Sequence, residues 1–239
     1  MRTIGVIGGM SWESSLVYYQ LINRGTRDRL GPLRSARLLL DSLDFEDIAA
    51  LQRTGEWQHA GELLAASACR LQAGGADCVV LATNTMHKVA DAIIAATPLP
   101  FLHIADAVGN AIRNAGMDCI LLLGTAFTME QDFYRRRIAD RFGIQCITPS
   151  AERRQQVHRI IYDELCAGAI HEASRLTLLE TIAEGMAAGA TGVILGCTEL
   201  TLLIQPDNCP VALFDSTALH AAAAVDFALQ DETPAVPVH

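Results

Sequence analysis

Apolar runs in this chain alternate with amphipathic stretches in a regular rhythm. Gly75-Ala76-Asp77-Cys78-Val79-Val80-Leu81-Ala82-Thr83-Asn84-Thr85 reads as a buried strand whose polar end emerges into a loop. Gly189-Ala190-Thr191-Gly192-Val193-Ile194-Leu195-Gly196-Cys197-Thr198-Glu199 aligns on it without a gap, 114 residues later. Thr3 to Gly9 is answered by Cys119 to Thr125, and Pro100 to Asp106 by Pro210 to Asp215, in the same order and at nearly the same offset. Three pairs at one offset predict duplication of a whole unit, not a solenoid.

Between the strands the period is helical. Val17 with Leu21, and Tyr18 with Ile22, mark a helix over 12–30 that Ser11 is placed to cap. Further helices are predicted over 57–74, 86–96, 105–115, 128–142, 151–167, 171–188 and 216–230. Alternating strands and helices imply right-handed crossovers and parallel sheets, with ligands gathering beyond the strand C-termini. Thr83 and Cys197 fall at two such ends. The expected division is 1–100 with 210–230 as one α/β domain, 101–209 as the other, and 231–239 as a loose tail.

Composition narrows the chemistry. The 239 residues are 51% apolar and can bury one core or two small ones. With no long apolar run and no signal-peptide pattern, a soluble, cytoplasmic protein is expected. A formal net charge of −9 disfavours nucleic acid or an anionic membrane as partner. Arg135-Arg136-Arg137 reads as a solvated helix face. Seven cysteines without Cys-x-x-Cys spacing argue against a disulfide scaffold, and Cys69, Cys78, Cys119 and Cys146 read as buried small hydrophobes. Lys88 is the only lysine, so a pyridoxal Schiff base would have to form there. The cluster Gly5-x-x-Gly8-Gly9 departs from the dinucleotide fingerprint, no phosphate loop of the Walker type exists, and the histidines lack metal spacing.

What remains is chemistry without a cofactor or metal, carried by a thiol. Cys197 sits between Gly196 and Thr198-Glu199, at a junction whose backbone amides favour an anion. As a nucleophile it would want a histidine base. As a general acid–base it needs only a partner on the opposite face of a carbon atom, and the duplicated strand offers that position.

At this point a resemblance enters. Ile7-Gly8-Gly9-Met10-Ser11-Trp12-Glu13-Ser14 with Tyr18-Tyr19, Thr83-Asn84-Thr85-Met86-His87 and Gly196-Cys197-Thr198-Glu199-Leu200 resemble the aspartate/glutamate racemase family. The resemblance spans residues 1–230. It implies two similar α/β domains with pseudo-two-fold symmetry, an active site between them, pyridoxal independence, a small amino-acid substrate and a homodimer. It assigns Cys197 to proton transfer on the L-enantiomer and places Thr83 where the family usually has a second cysteine. It further implies that Asn84, Thr85 and Thr198 hold the α-carboxylate, that Met10 and Gln52 line the cleft, and that Glu199 orients the amine or tunes Cys197. Arg53 and Tyr134 are candidates for a side-chain carboxylate. The threonine keeps two alternatives open: an arylmalonate-type decarboxylase, which needs one cysteine, and a small-molecule binding protein that has lost catalysis.

Overall fold

A computed structural model describes residues 1–231; the expected tail lies outside them apart from Asp231. The chain forms two compact units, Met1–His103 with the chain from His220 onward, and Ile104–Leu219.

The first unit contains β1 (Ile4–Gly8), α1 (Trp12–Leu30), β2 (Leu38–Ser42), α2 (Phe45–Thr54), α3 (Trp57–Ala73), β3 (Cys78–Leu81), a 3-10 turn Thr85–Val89, α4 (Ala90–Ala96) and β4 (Phe101–Leu102). Its four strands are all parallel, in the order β2-β1-β3-β4. The apolar runs of β1 and β3 are buried on both faces, as strands covered twice by helices must be. On one face Ile4, Val6, Cys78 and Val80 pack with Tyr18 and Ile22. On the other, Ile7, Val79 and Leu81 meet Ile48, Leu64, Ala68 and Ile93.

The second unit contains α5 (Ile104–Asn114), β5 (Cys119–Gly124), α6 (Ala126–Glu130), α7 (Asp132–Phe142), β6 (Gln145–Ile147), α8 (Ala151–Arg159), α9 (Glu172–Ala187), β7 (Gly192–Gly196) and β8 (Ala212–Asp215). Between α8 and α9 lie a π-helical turn, Ile160–Glu164, and a 3-10 turn, Leu165–Ala167. After β7 comes a 3-10 turn, Thr198–Leu202. The sheet is parallel, in the order β6-β5-β7-β8, the same topology as the first. The last helix, α10 (Ser216–Leu229), begins in this unit and supplies Ala221, Ala224 and Val225 to the core of the first.

The three segment pairs of the sequence occupy matching strands: β1 with β5, β3 with β7, β4 with β8. The repeated Gly-Ala turn has a geometric cause. Gly75 (φ 88°) and Gly189 (φ 104°) both adopt left-handed backbone, which admits glycine at little cost.

Three expectations need correction. Residues 101–103 belong to the first unit and 210–219 to the second, because β4 pairs with β3 and β8 with β7. Cys69 is exposed: the buried stripe of α3 runs through Ala60, Leu64, Ala68 and Leu71, and Cys69 lies one step off it. Val17 likewise faces outward, and α1 buries Ser14, Ser15, Tyr18, Ile22 and Thr26 instead. Ser11 does cap α1, accepting a hydrogen bond from the Ser14 amide at 3.3 Å.

Candidate functional site

In the first unit the chain leaves β3 through Ala82 and turns sharply. The Thr83 amide donates to the Leu81 carbonyl at 2.9 Å, and the Thr83 carbonyl lies 2.7 Å from Nδ1 of His87. Asn84 caps the 3-10 turn that begins with Thr85 and Met86, and all three are buried. Thr83 itself is half-buried. Gln52 reaches this segment from α2, where its side-chain amide donates to Sδ of Met86 at 3.0 Å; Gln52 and Met10 are both buried. Met10, Gln52 and Met86 thus belong to the same unit as Thr83, and Met10 and Met86 share one apolar cluster.

Behind Thr83 stands a group of aromatic rings. His87 packs 4.5 Å from His103, 5.5 Å from Phe101 and 5.8 Å from His220. His220 lies 2.6 Å from the Leu102 carbonyl through Nε2 and 2.8 Å from the Tyr18 hydroxyl through Nδ1. A carbonyl only accepts, so Nε2 carries the proton and Tyr18 donates to Nδ1. Lys88, next along the turn, holds its ammonium 3.7 Å from the Trp57 ring, a cation–π contact, and burial lowers its pKa.

The matching end in the second unit is built differently. Cys197 follows β7 in extended backbone and opens the 3-10 turn Thr198–Leu202. Its thiol donates to Oε2 of Glu199 at 2.8 Å, and Thr198 Oγ1 donates to the same oxygen at 2.7 Å. Cys197, Thr198 and Glu199 therefore form one connected group. Burial pushes the Cys197 thiol well above its usual pKa, and the Glu199 carboxylate raises it further against a smaller opposing effect of a backbone hydrogen bond. The expectation that a strand-to-turn junction lowers this pKa is thus reversed, because burial, joined by a negative charge two residues away, outweighs the amide.

Three side chains between α8 and α9 or beside them escape a reading of sequence alone. Tyr162, in the π-helical turn, has its hydroxyl pKa pushed to about 12 by burial, with Cys197, Cys166 and Glu199 adding to the rise. His158, one turn earlier, packs 4.6 Å from the Tyr162 ring and accepts from the Ala126 amide at 3.3 Å through Nδ1. The third is Cys166 itself, in the 3-10 turn Leu165–Ala167. The sequence predicts one continuous helix over 151–167; the α-helix instead ends at Arg159 and gives way to the π-turn and then the 3-10 turn.

The candidates for a side-chain carboxylate are placed as follows. Arg53 is exposed and bonded to Glu46 at 2.5 Å, and Tyr134 is fully buried in the core beneath α7. The arginine triplet is ion-paired, Arg135 to Asp132 and Arg136 to Asp140 within α7, and Arg137 to Asp106 on α5. All seven cysteines are free thiols. Burial holds Cys78 and Cys146 at about 12, as expected of inert packed thiols. Among the described residues no cluster of three or more His, Cys, Asp or Glu could hold a metal ion, and no helix is long and apolar enough to cross a membrane.

A family model described as Asp/Glu/hydantoin racemase matches residues 7–224. The chain belongs to that family. It is an isomerase, an amino-acid racemase by type. A candidate Asp/Glu racemase from Yersinia pestis is 51% identical, with 96% of this chain and all of that one covered and a TM-score of 0.92. An aspartate racemase homologue from Pyrococcus horikoshii OT3 is 31% identical over 95% of this chain and 99% of that one, with a TM-score of 0.85. An unliganded arylmalonate decarboxylase shares the fold at 18% identity, 98% and 96% coverage and a TM-score of 0.54.

Proposed function

We propose that this racemase acts on aspartate, glutamate or both, with Cys197 as the acid–base on the L-face of the α-carbon and Thr83 on the opposite face. The observation that carries the reading is the Cys197–Glu199 contact at the end of β7. A thiol donating to a carboxylate has a place to send its proton, and a carboxylate can also receive the ammonium group of an amino acid. In the free protein burial and the Glu199 charge both raise the thiol's pKa. An ammonium arriving at Glu199 cancels much of that charge and lowers the thiol's pKa, so that the thiol releases its proton to solvent and stands as a thiolate beside the substrate.

The thiolate then takes the α-proton and leaves a planar carbanion with enolate-like charge on the carboxylate. Asn84, Thr85 and Thr198, with nearby backbone amides, hold that carboxylate; losing one such donor typically costs about 3 kcal/mol. Met10 and Gln52 bound the substrate on the side of Thr83. A proton delivered from the Thr83 side gives the D-enantiomer, and one returned by Cys197 regenerates L. An aliphatic hydroxyl is a far weaker acid than a thiol, so inversion is the slower of the two outcomes.

The lone thiol also supports a second reading. A decarboxylase of the arylmalonate type generates its carbanion by loss of carbon dioxide and needs a single protonation. Incubation with L-aspartate, L-glutamate and phenylmalonate separates the two, with chiral chromatography and carbon dioxide release as readouts. The expected result is D-amino acid from L, with no carbon dioxide. Carbon dioxide from phenylmalonate with no racemisation would overturn the racemase reading, and neither activity would leave a binding protein.

A further inference from the structure

We propose that His87 is a positioning residue for the inverting half of the reaction, holding Thr83 in place through the Thr83 carbonyl. The proposal rests on the acid–base reading above. It concerns only the first unit, where all the contacts it uses are found.

The carbonyl of Thr83 can only accept, so at 2.7 Å the Nδ1 of His87 carries the proton. The Thr83 amide is bound to Leu81 at 2.9 Å, so both peptide groups flanking its Cα are fixed, one by the strand and one by the ring. The ring in turn has little freedom. It is buried, His103 and Phe101 pack against it, and His220 closes the group, itself tied to Tyr18 and to the Leu102 carbonyl. The direction in which Thr83 presents its hydroxyl is therefore set by a chain of contacts running back into β4 and α1.

The second unit shows what the bond adds. The residue four places after Cys197 is Thr201, the counterpart of His87, and its hydroxyl donates to the Thr198 carbonyl at 2.7 Å. The Cys197 carbonyl instead accepts a long backbone bond from Leu200, at 3.3 Å. Cys197 is oriented through its own thiol by Glu199, whereas Thr83 is oriented through its main chain by His87. A weak acid gains most from such fixing, since a donor that transfers poorly must at least be aimed well.

The test compares two rates within one sample. The wild-type protein and the His87→Phe, His87→Asn and His87→Gln variants are given L-aspartate or L-glutamate in D₂O. Deuterium entering recovered L-substrate reports Cys197 alone, and deuterated D-product reports the Thr83 side. Their ratio is independent of how much protein is folded. For His87→Phe, which keeps ring bulk without a donor, D-product formation relative to L-exchange should fall by about tenfold. Asparagine places an amide N–H where Nδ1 stands and should restore most of the ratio. Glutamine, whose amide reaches the Nε2 position, should not, and this contrast decides the matter even if the phenylalanine variant fails to fold. An unchanged ratio in His87→Phe, or equal ratios for the asparagine and glutamine variants, would overturn the proposal. No exchange by the wild-type protein would instead sink the acid–base reading on which it rests.

Discussion

The loops after β3 and after β7 share one sequence pattern and differ in how they hold Thr83 and Cys197. After β7 the side chain itself is engaged: the Cys197 thiol donates to Glu199, whose charge adds to burial in raising its pKa. After β3 the backbone is engaged: His87 fixes the Thr83 carbonyl. The lesson is that matching topology places the two groups alike, while the chemistry at each place differs. One end can ionise and the other can only donate weakly.

The largest effect should come from the end that ionises. Cys197→Ser should slow α-proton exchange from L-aspartate and L-glutamate by about 10²–10⁴-fold, because the hydroxyl is too weak a base. Deuterium wash-in followed by mass spectrometry checks this, with an unchanged circular dichroism spectrum confirming the fold. Exchange at the wild-type rate would remove Cys197 from the mechanism.

Making the two ends alike should have the next largest effect. Thr83→Cys should raise racemisation by about tenfold or more, since a matched thiol then faces the carbanion. The gain must appear in both directions, because the free enantiomers have equal energy and kcat/KM must remain equal for L and D. Polarimetry from each enantiomer measures it, and unchanged turnover in both would mean Thr83 does not act at the α-carbon.

A smaller effect sharpens the role of Glu199. Its charge raises the pKa of Cys197, so Glu199→Gln should lower that pKa in the free protein. Titration of the thiolate by its ultraviolet absorbance should therefore show the Cys197 transition moving to lower pH. A transition that stays or rises would mean burial alone sets it.

The smallest effect concerns stability. Gly9, at the end of β1, has φ 89°, and an added Cβ would stand 2.0 Å from the Leu43 carbonyl oxygen. Thr125 holds the matching place after β5 with φ −64° and caps α6. Gly9→Ala should cost about 1–3 kcal/mol through backbone strain alone, and more where the clash is not relieved. Thermal unfolding measures this, and an unchanged Tm would show that the turn after β1 can relax to the form seen after β5.

Much of this comparison was legible beforehand. The strand runs, the helix capped by Ser11 and the three repeated pairs announced two parallel sheets, because a strand buried on both faces must be apolar throughout. β2 and α2 were not read, since Leu38–Ser42 is a half-buried edge strand whose pattern is broken by Asp41. The places of Thr83, Asn84, Thr85, Cys197, Thr198 and Glu199 at strand ends followed from sequence. Their hydrogen bonds did not. The Cys197 shift depends on burial and on which way the Glu199 carboxylate turns, and the π-turn at Ile160–Glu164 leaves no periodic trace. His87 lay in plain view within its motif, but only its distance to the Thr83 carbonyl gives it a role.

The central claim is the inequality of the two ends, and exchange by the wild-type protein in D₂O tests it most directly. Given L-aspartate or L-glutamate, deuterium should enter recovered L-substrate faster than D-product appears, as resolved by chiral chromatography with mass spectrometry. Inversion at least as fast as retention, with Cys197 intact, would contradict the account and make Thr83 a competent acid.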